Sequence, residues 1–142
     1  MGLAVAGLVV TNAPVKATEI SPGDIKQPET ADDESLILRA FELRQQALNS
    51  GDQPYGALVV REGRVVGEAP SRVMRNHDAT AHAEMEAIRD ASRRLQSSSL
   101  QGCILYSSSP PCPMCEAAAY WAGIERMVSG NPPRDRGRPN LC

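Results

Sequence analysis

A chain of 142 residues has room for one domain and one substantial core, which excludes a second catalytic domain. Hydrophobic residues make up 42% and charged residues 23%, the balance of an ordinary globular protein and not of a disordered or fibrous one. The net charge of −2 lacks the basic excess that neutralises phosphates and so disfavours a nucleic-acid partner, four cysteines are too few for a disulfide scaffold, and no apolar run reaches the roughly 18 residues of a membrane span.

In chain order, residues 1–33 read as an N-terminal arm. The apolar stretch 3–10, followed by small residues at Ala13 and Ala17, has the pattern of a secretory signal without its basic start, since Met1 and Gly2 carry no side-chain charge. A cytoplasmic location is favoured on that ground, with export as the alternative. Pro14, Pro22 and Pro28 make the rest of the arm an extended linker. The folded unit spans 34–130. Asp32 or Asp33 caps a helix whose apolar positions Leu36, Ile37, Ala40, Leu43 and Ala47 recur at helical spacing, and Asn49, Ser50 and Gly51 end it. Residues 55–61 and 65–69 are β-prone runs on either side of Glu62-Gly63-Arg64, which predicts an antiparallel hairpin. A polar, irregular stretch over 70–80 leads into a helix over 81–95, with Ala83, Ala87, Ile88 and Ala91 on its apolar face. Residues 103–106 read as a short buried strand, 107–111 as a loop, 113–122 as a helix with Pro113 in its first turn, and 125–129 as a last strand. Residues 131–142, rich in Pro and Arg, read as an irregular tail. The order α-β-β-α-β-α-β predicts an α/β domain of three layers, α/β/α, with the hairpin inside a mixed sheet.

Two short segments carry the chemistry. Thr80-Ala81-His82-Ala83-Glu84 opens one helix, and Pro111-Cys112-Pro113-Met114-Cys115 opens another about 30 residues later. Alone, the two cysteines are a redox pair or half of a structural zinc site as readily as a catalytic one, and a lone His-x-Glu is more often a helix cap or a packed side chain. Together they match zinc, which takes imidazole and thiolate ligands in a tetrahedron and, in catalytic sites, uses three protein ligands with the fourth position open. His82, Cys112 and Cys115 make three, which predicts one zinc ion per chain. Cysteines three apart at a helix start lie on nearly one face, and the positive helix end favours the thiolate. His82 and Glu84 are two apart, about 200° around an ideal helix, so they reach a common pocket only from its first turn. Glu84 is then placed as the proton shuttle, an acid and base and not a ligand, for a hydrolysis that expels an amine from an amidine-like carbon.

These residues also resemble a known family, because His82-x-Glu84 followed by Pro111-Cys112-x-x-Cys115 follows the signature of zinc deaminases. Pro54-Tyr55-Gly56-Ala57, the stretch 79–89 and Leu105-Tyr106-Ser107 extend the similarity, which runs from about Ser35 to Gly130. The chain resembles the cytidine and deoxycytidylate deaminase superfamily, and within it the branch of bacterial guanine deaminases and tRNA adenosine deaminases. The resemblance implies that His82, Cys112 and Cys115 hold zinc, that Glu84 shuttles the proton, and that the backbone of Ala57 and of Ala83 lines the substrate pocket. Tyr55 stands where the family usually has Phe against the base, and Trp121 falls in a Tyr-Trp-Ala stretch typical of guanine deaminases; core packing is the alternative for both. Ser71 stands where the family often has an Asn that grips the substrate. Pro110 replaces the usual acidic residue, so a hydrogen bond that steadies the loop is expected to be missing.

The resemblance implies deamination of a small nucleobase or nucleoside, guanine-like in preference. Two alternatives stand beside it: a tRNA adenosine deaminase, for which the sequence shows no basic surface, and a zinc-holding interaction module without catalysis, against which Glu84 argues. A sheet ending at Ser129 leaves an open edge and an incomplete pocket wall, which predicts a homodimer. Cys103 is expected to pack as a small apolar side chain, and Cys142 to be reduced in a cytoplasmic form or protected in an exported one.

Overall fold

The structure, a computed structural model, describes residues 24–141; the apolar stretch 3–10 and Cys142 lie outside them. Asp32 starts helix α1 (Asp33–Asn49) by accepting the Ser35 N–H at 2.8 Å, so the first of the two candidate caps is the one used. The apolar face predicted for this helix, Leu36, Ile37, Ala40, Leu43 and Ala47, is buried throughout. The hairpin follows as β1 (Gly56–Arg61) and β2 (Arg64–Pro70), with Glu62 and Gly63 both left-handed in the turn at φ 49° and 73°. Two such residues match the twist of the paired strands. Within the stretch predicted to be irregular, Val73–Asn76 form one helical turn, α2. Next come α3 (Ala83–Leu95), β3 (Cys103–Ser107), α4 (Pro113–Ala122) and β4 (Arg126–Ser129), then β5 (Arg134–Gly137).

The sheet runs β2-β1-β3-β4-β5; β3 and β4 are parallel and every other pair is antiparallel. Alternate residues of β1 point to opposite faces. Ala57 and Val59 join Ala87 and Ala91 of α3 and Ala119 of α4 in one core, while Leu58 and Val60 join Leu36, Ile37 and Leu43 of α1 in the other. These are the three predicted layers, and burial on both faces is why β1 reads as one apolar run. Close packing depends on two glycines. A Cβ at Gly67 would collide with the backbone and side chain of Ala91 in α3, and one at Gly56 with Leu43 and the backbone of Ala40 and Arg44 in α1.

The structure departs from the sequence-based expectation at both ends of the domain. Residues 131–142 are not irregular throughout, because β5 pairs Asp135 with Val128 and Arg134 with Ser129. All four β5 residues are exposed, so no apolar alternation announces the strand; the ladder and two side-chain contacts, Arg126 Nε to Asp135 at 2.9 Å and Arg136 Nε to Ser129 Oγ at 2.8 Å, hold it. β4 is consequently interior, and the open edge expected at Ser129 does not exist. The end of the arm, moreover, is docked on the sheet. Ile25 is buried beside α1, and the Gln27 carboxamide donates to Val65 O at 2.9 Å and accepts the Val65 N–H at 2.8 Å, acting as an extra rung on β2. Among the described residues no helix is long and apolar enough to cross a membrane.

Candidate active site

The loop after β3 turns back to start α4, and the beginning of β1 is clamped to it. Ser108 N–H donates to Gly56 O at 2.9 Å, and Gly56 N–H donates to Ser108 Oγ at 3.1 Å. This brings the α1–β1 connection beside the start of α4. The β2–α3 connection is tied to the same place by Asp52, whose buried carboxylate accepts the Gln53 N–H at 2.8 Å, the Ser71 hydroxyl at 2.9 Å and the Arg75 N–H at 3.0 Å. Thr80 donates its N–H and its hydroxyl to Asp78 Oδ1, both at 2.8 Å, and so shapes the last turn before His82.

His82 and Cys112 are the N-cap residues of α3 and α4, both extended, and neither uses its side chain as a cap. Their donor atoms are therefore available to one another and to Cys115, in the first turn of α4. His82 Nδ1 lies 3.7 Å from each sulfur, and the Cys112 and Cys115 sulfurs are 3.6 Å apart. Zinc–sulfur bonds of about 2.3 Å and a zinc–nitrogen bond of about 2.0–2.1 Å at tetrahedral angles place the sulfurs about 3.8 Å apart and sulfur and nitrogen about 3.6 Å apart. The three donors fit zinc, and a three-donor set leaves one tetrahedral position for a non-protein ligand.

Glu84, the second residue of α3, is buried with Oε2 3.7 Å from Cys115 Sγ. Burial raises its carboxyl above the ordinary carboxylate range. Burial, together with the charges of Glu84 and Cys112, also raises the Cys115 thiol. A divalent cation held by the three donors would add positive charge beside both acids and favour their ionised forms.

A cleft of ≈ 450 Å³ opens beside this group. His82, Glu84 and Cys112 line it together with Gln53 and Tyr55 from the α1–β1 connection and Ser109 and Pro110 from the loop before α4. Of the residues predicted to touch substrate, Tyr55 lies in this lining. Ala57 and Ala83 are fully buried, with their side chains in the core beneath. Ser71 does not line the cleft; it is buried and its hydroxyl is committed to Asp52. Trp121 is also outside the lining, in the last turn of α4, 76% exposed and set edge-on to Tyr120 with ring centroids 5.4 Å apart. The loop that Pro110 was expected to leave unsteadied is held otherwise, by Ser108 on Gly56 and by the Ser107 hydroxyl donating to Ser109 O at 2.6 Å. Asp52, Gln53 and Ser109 were missed, because they sit in connections with no periodicity and become neighbours of the site only through partners distant in sequence.

Residues 30–131 match the family described as the cytidine and deoxycytidylate deaminase zinc-binding region. The guanine deaminase of Bacillus subtilis strain 168 is 43% identical over 90 residues, which are 63% of this chain and 58% of that one. A tRNA-specific adenosine deaminase of Aquifex aeolicus is 42% identical over 95 residues, 67% of this chain and 63% of that one. The crystal structure of the Bacillus subtilis guanine deaminase superposes with a TM-score of 0.68 at 39% identity, covering 70% of this chain and 64% of that one. The chain spans about three fifths of the length of these relatives. With the fold, the three-donor group and the matched region in agreement, the chain belongs to the cytidine and deoxycytidylate deaminase family and carries its zinc-binding region.

Proposed function

We propose that this chain is a zinc-dependent hydrolase that deaminates a nucleobase or nucleoside-type small molecule, with a guanine-like base preferred. The observation that carries the reading is the buried Glu84 carboxylate, 3.7 Å from a thiol of the three-donor group and lining the cleft. A purely structural zinc site has no use for it. In this reading His82, Cys112 and Cys115 hold the metal, which supplies Lewis acidity that brings the pKa of water toward about 7. Glu84 accepts a proton as water oxygen adds to the amidine carbon, and delivers it to the amino nitrogen. The C–N bond breaks, a C=O bond takes its place, and ammonia leaves; one water proton ends on the ammonia and the other on the ring nitrogen. Tyr55 offers its ring to the base. Ala83 is the first residue of α3, so its N–H has no acceptor within its own helix and is free to bind substrate; the Ala57 backbone completes the contacts in this reading.

The guanine-like preference rests on the 43% identity to the Bacillus subtilis enzyme. A tRNA substrate is the second reading, supported by the Aquifex aeolicus relative and opposed by the net charge of −2. We also read the chain as a homodimer in which a second copy covers the exposed Trp121 and Tyr120, and as cytoplasmic, where a site built on two thiols stays reduced. Ammonia release from guanine, cytosine, adenosine and a tRNA anticodon stem-loop tests the activity, with Glu84→Gln alongside. Expected are turnover of a free base, a loss of at least about 10²-fold in Glu84→Gln, and one zinc per chain retained in that variant by elemental analysis. Turnover of the RNA alone selects the second reading, and zinc without turnover a silent binding module. Sedimentation of the same protein gives the oligomeric state, with Trp121→Glu expected to yield monomer.

A further inference from the structure

We propose that Gln53 sets substrate specificity by reading, through its side-chain carboxamide, an edge of the bound ring that presents an acceptor beside a donor. The inference rests on the deaminase reading above and adds a residue to it. The polar side chains around the cleft divide into committed and free. Ser71 has given its hydroxyl to Asp52, and both Asp52 oxygens are engaged, Oδ1 by Ser71 and the Gln53 N–H and Oδ2 by the Arg75 N–H. Neither residue is available to a ligand. Glu84 is held for proton transfer, and His82 and Cys112 for the metal.

Gln53 differs from all of these. Its backbone is pinned on both sides, the N–H by Asp52 at 2.8 Å and the C=O by the Tyr55 N–H at 2.8 Å. Gln53 is half-buried and lines the cleft, and its carboxamide makes no hydrogen bond to any described residue. A fixed backbone carrying an unengaged amide is prepared for a ligand at little further cost in ordering. Tyr55 and Ser109 also line the cleft, but each offers a single hydroxyl. Only the carboxamide holds a donor and an acceptor in one plane, which is the geometry that pairs with two adjacent positions on a heterocycle. A ring that fills the cleft desolvates this amide, so a ligand that leaves it unpaired binds worse by the cost of a buried, unsatisfied polar group.

The test is equilibrium binding by titration calorimetry on the zinc-loaded full chain, with guanine, 9-methylguanine and O6-methylguanine as probes. The two analogues each remove hydrogen-bonding capacity from a different donor-and-acceptor edge. Gln53→Met keeps the length of the side chain and removes both hydrogen-bonding atoms, and Gln53→Asn keeps the amide. Expected for Gln53→Met is guanine binding weaker by about 10–10²-fold, with little or no further loss on the one analogue whose edge the amide reads. Gln53→Asn should recover part of the discrimination, which a packing defect would not. Unchanged affinities in Gln53→Met, an equal loss on all three bases, or a wild type that binds none of them overturns the inference. Ammonia release is read in parallel to separate the two claims. Binding with the expected pattern but no turnover removes the deaminase reading and keeps Gln53, whereas turnover without the pattern does the reverse. Gln53→Ala replaces the Met variant if that one does not fold.

Discussion

The Asp52 carboxylate joins the connection that carries Gln53 and Tyr55 to the one that carries His82, through three hydrogen bonds and no contact with the cleft. Burial pushes its carboxyl up, but the N–H groups of Arg75 and Gln53 and the Ser71 hydroxyl together outweigh burial and hold it below its ordinary value. A depressed folded-state pKa means that this stabilisation is complete above the unfolded value of about 3.9 and is lost as pH falls through the lower folded value. Asp52→Asn turns an acceptor-only group toward three donors with a single oxygen, so it should cost about 1–3 kcal/mol at neutral pH. Urea unfolding of both proteins from about pH 7 to about pH 3 should show that gap shrinking once the pH drops below about 4; a gap independent of pH would assign the effect to shape alone. His82 with Glu84 and Cys112 with Cys115 were legible as pairs because helix phase leaves few ways for such short spacings to share a pocket, and the resemblance to the deaminase signature joined the two pairs. Asp52 was not, since Ser71 and Arg75 lie 19 and 23 residues away.

Helix α3 presents His82 and Glu84, and its distance from the sheet is set by the missing side chain of Gly67 against Ala91. Gly67→Ala must push the helix off β2 or distort the strand, at a cost of about 1–3 kcal/mol. Because the N-cap of this helix is the proposed metal ligand His82, zinc affinity should fall with stability. Competition with a chromogenic chelator and a urea midpoint, measured on one preparation, check both; lost stability with unchanged zinc affinity would show that the start of α3 is held independently of its middle. The helices with an apolar period, α1 and α3, were readable because burial writes itself into spacing, while β1 was readable as an apolar run and α4 from Pro113 in its first turn. Those held by other means were not. β5 is fully exposed and rests on a ladder with β4 and on Arg126, while Gln27 extends β2 with a side chain.

Zinc, where it binds, links the start of α3 to the start of α4 on one side of the sheet. The two cores do not depend on that link, since α1 packs on the opposite face and the alanines of α3 and α4 meet the sheet directly. Removal of the metal should therefore leave a folded but less stable protein. Zinc at about a thousand times its dissociation constant adds roughly 4 kcal/mol, on the order of 10 °C in Tm, and scanning calorimetry with and without dipicolinate measures the difference. Complete unfolding on chelation would show that the cores do not suffice. The sequence by itself determined the layers, the hairpin and the helix starts, because local periodicity and helix phase encode them within a few residues, and its resemblance to the deaminase signature pointed to the donor set. Only the tertiary structure decided which polar groups around the cleft are free. Whether Ser71, Asp52 or Gln53 can meet a ligand depends on partners that chain folding brings from distant positions, and no local pattern records such pairings.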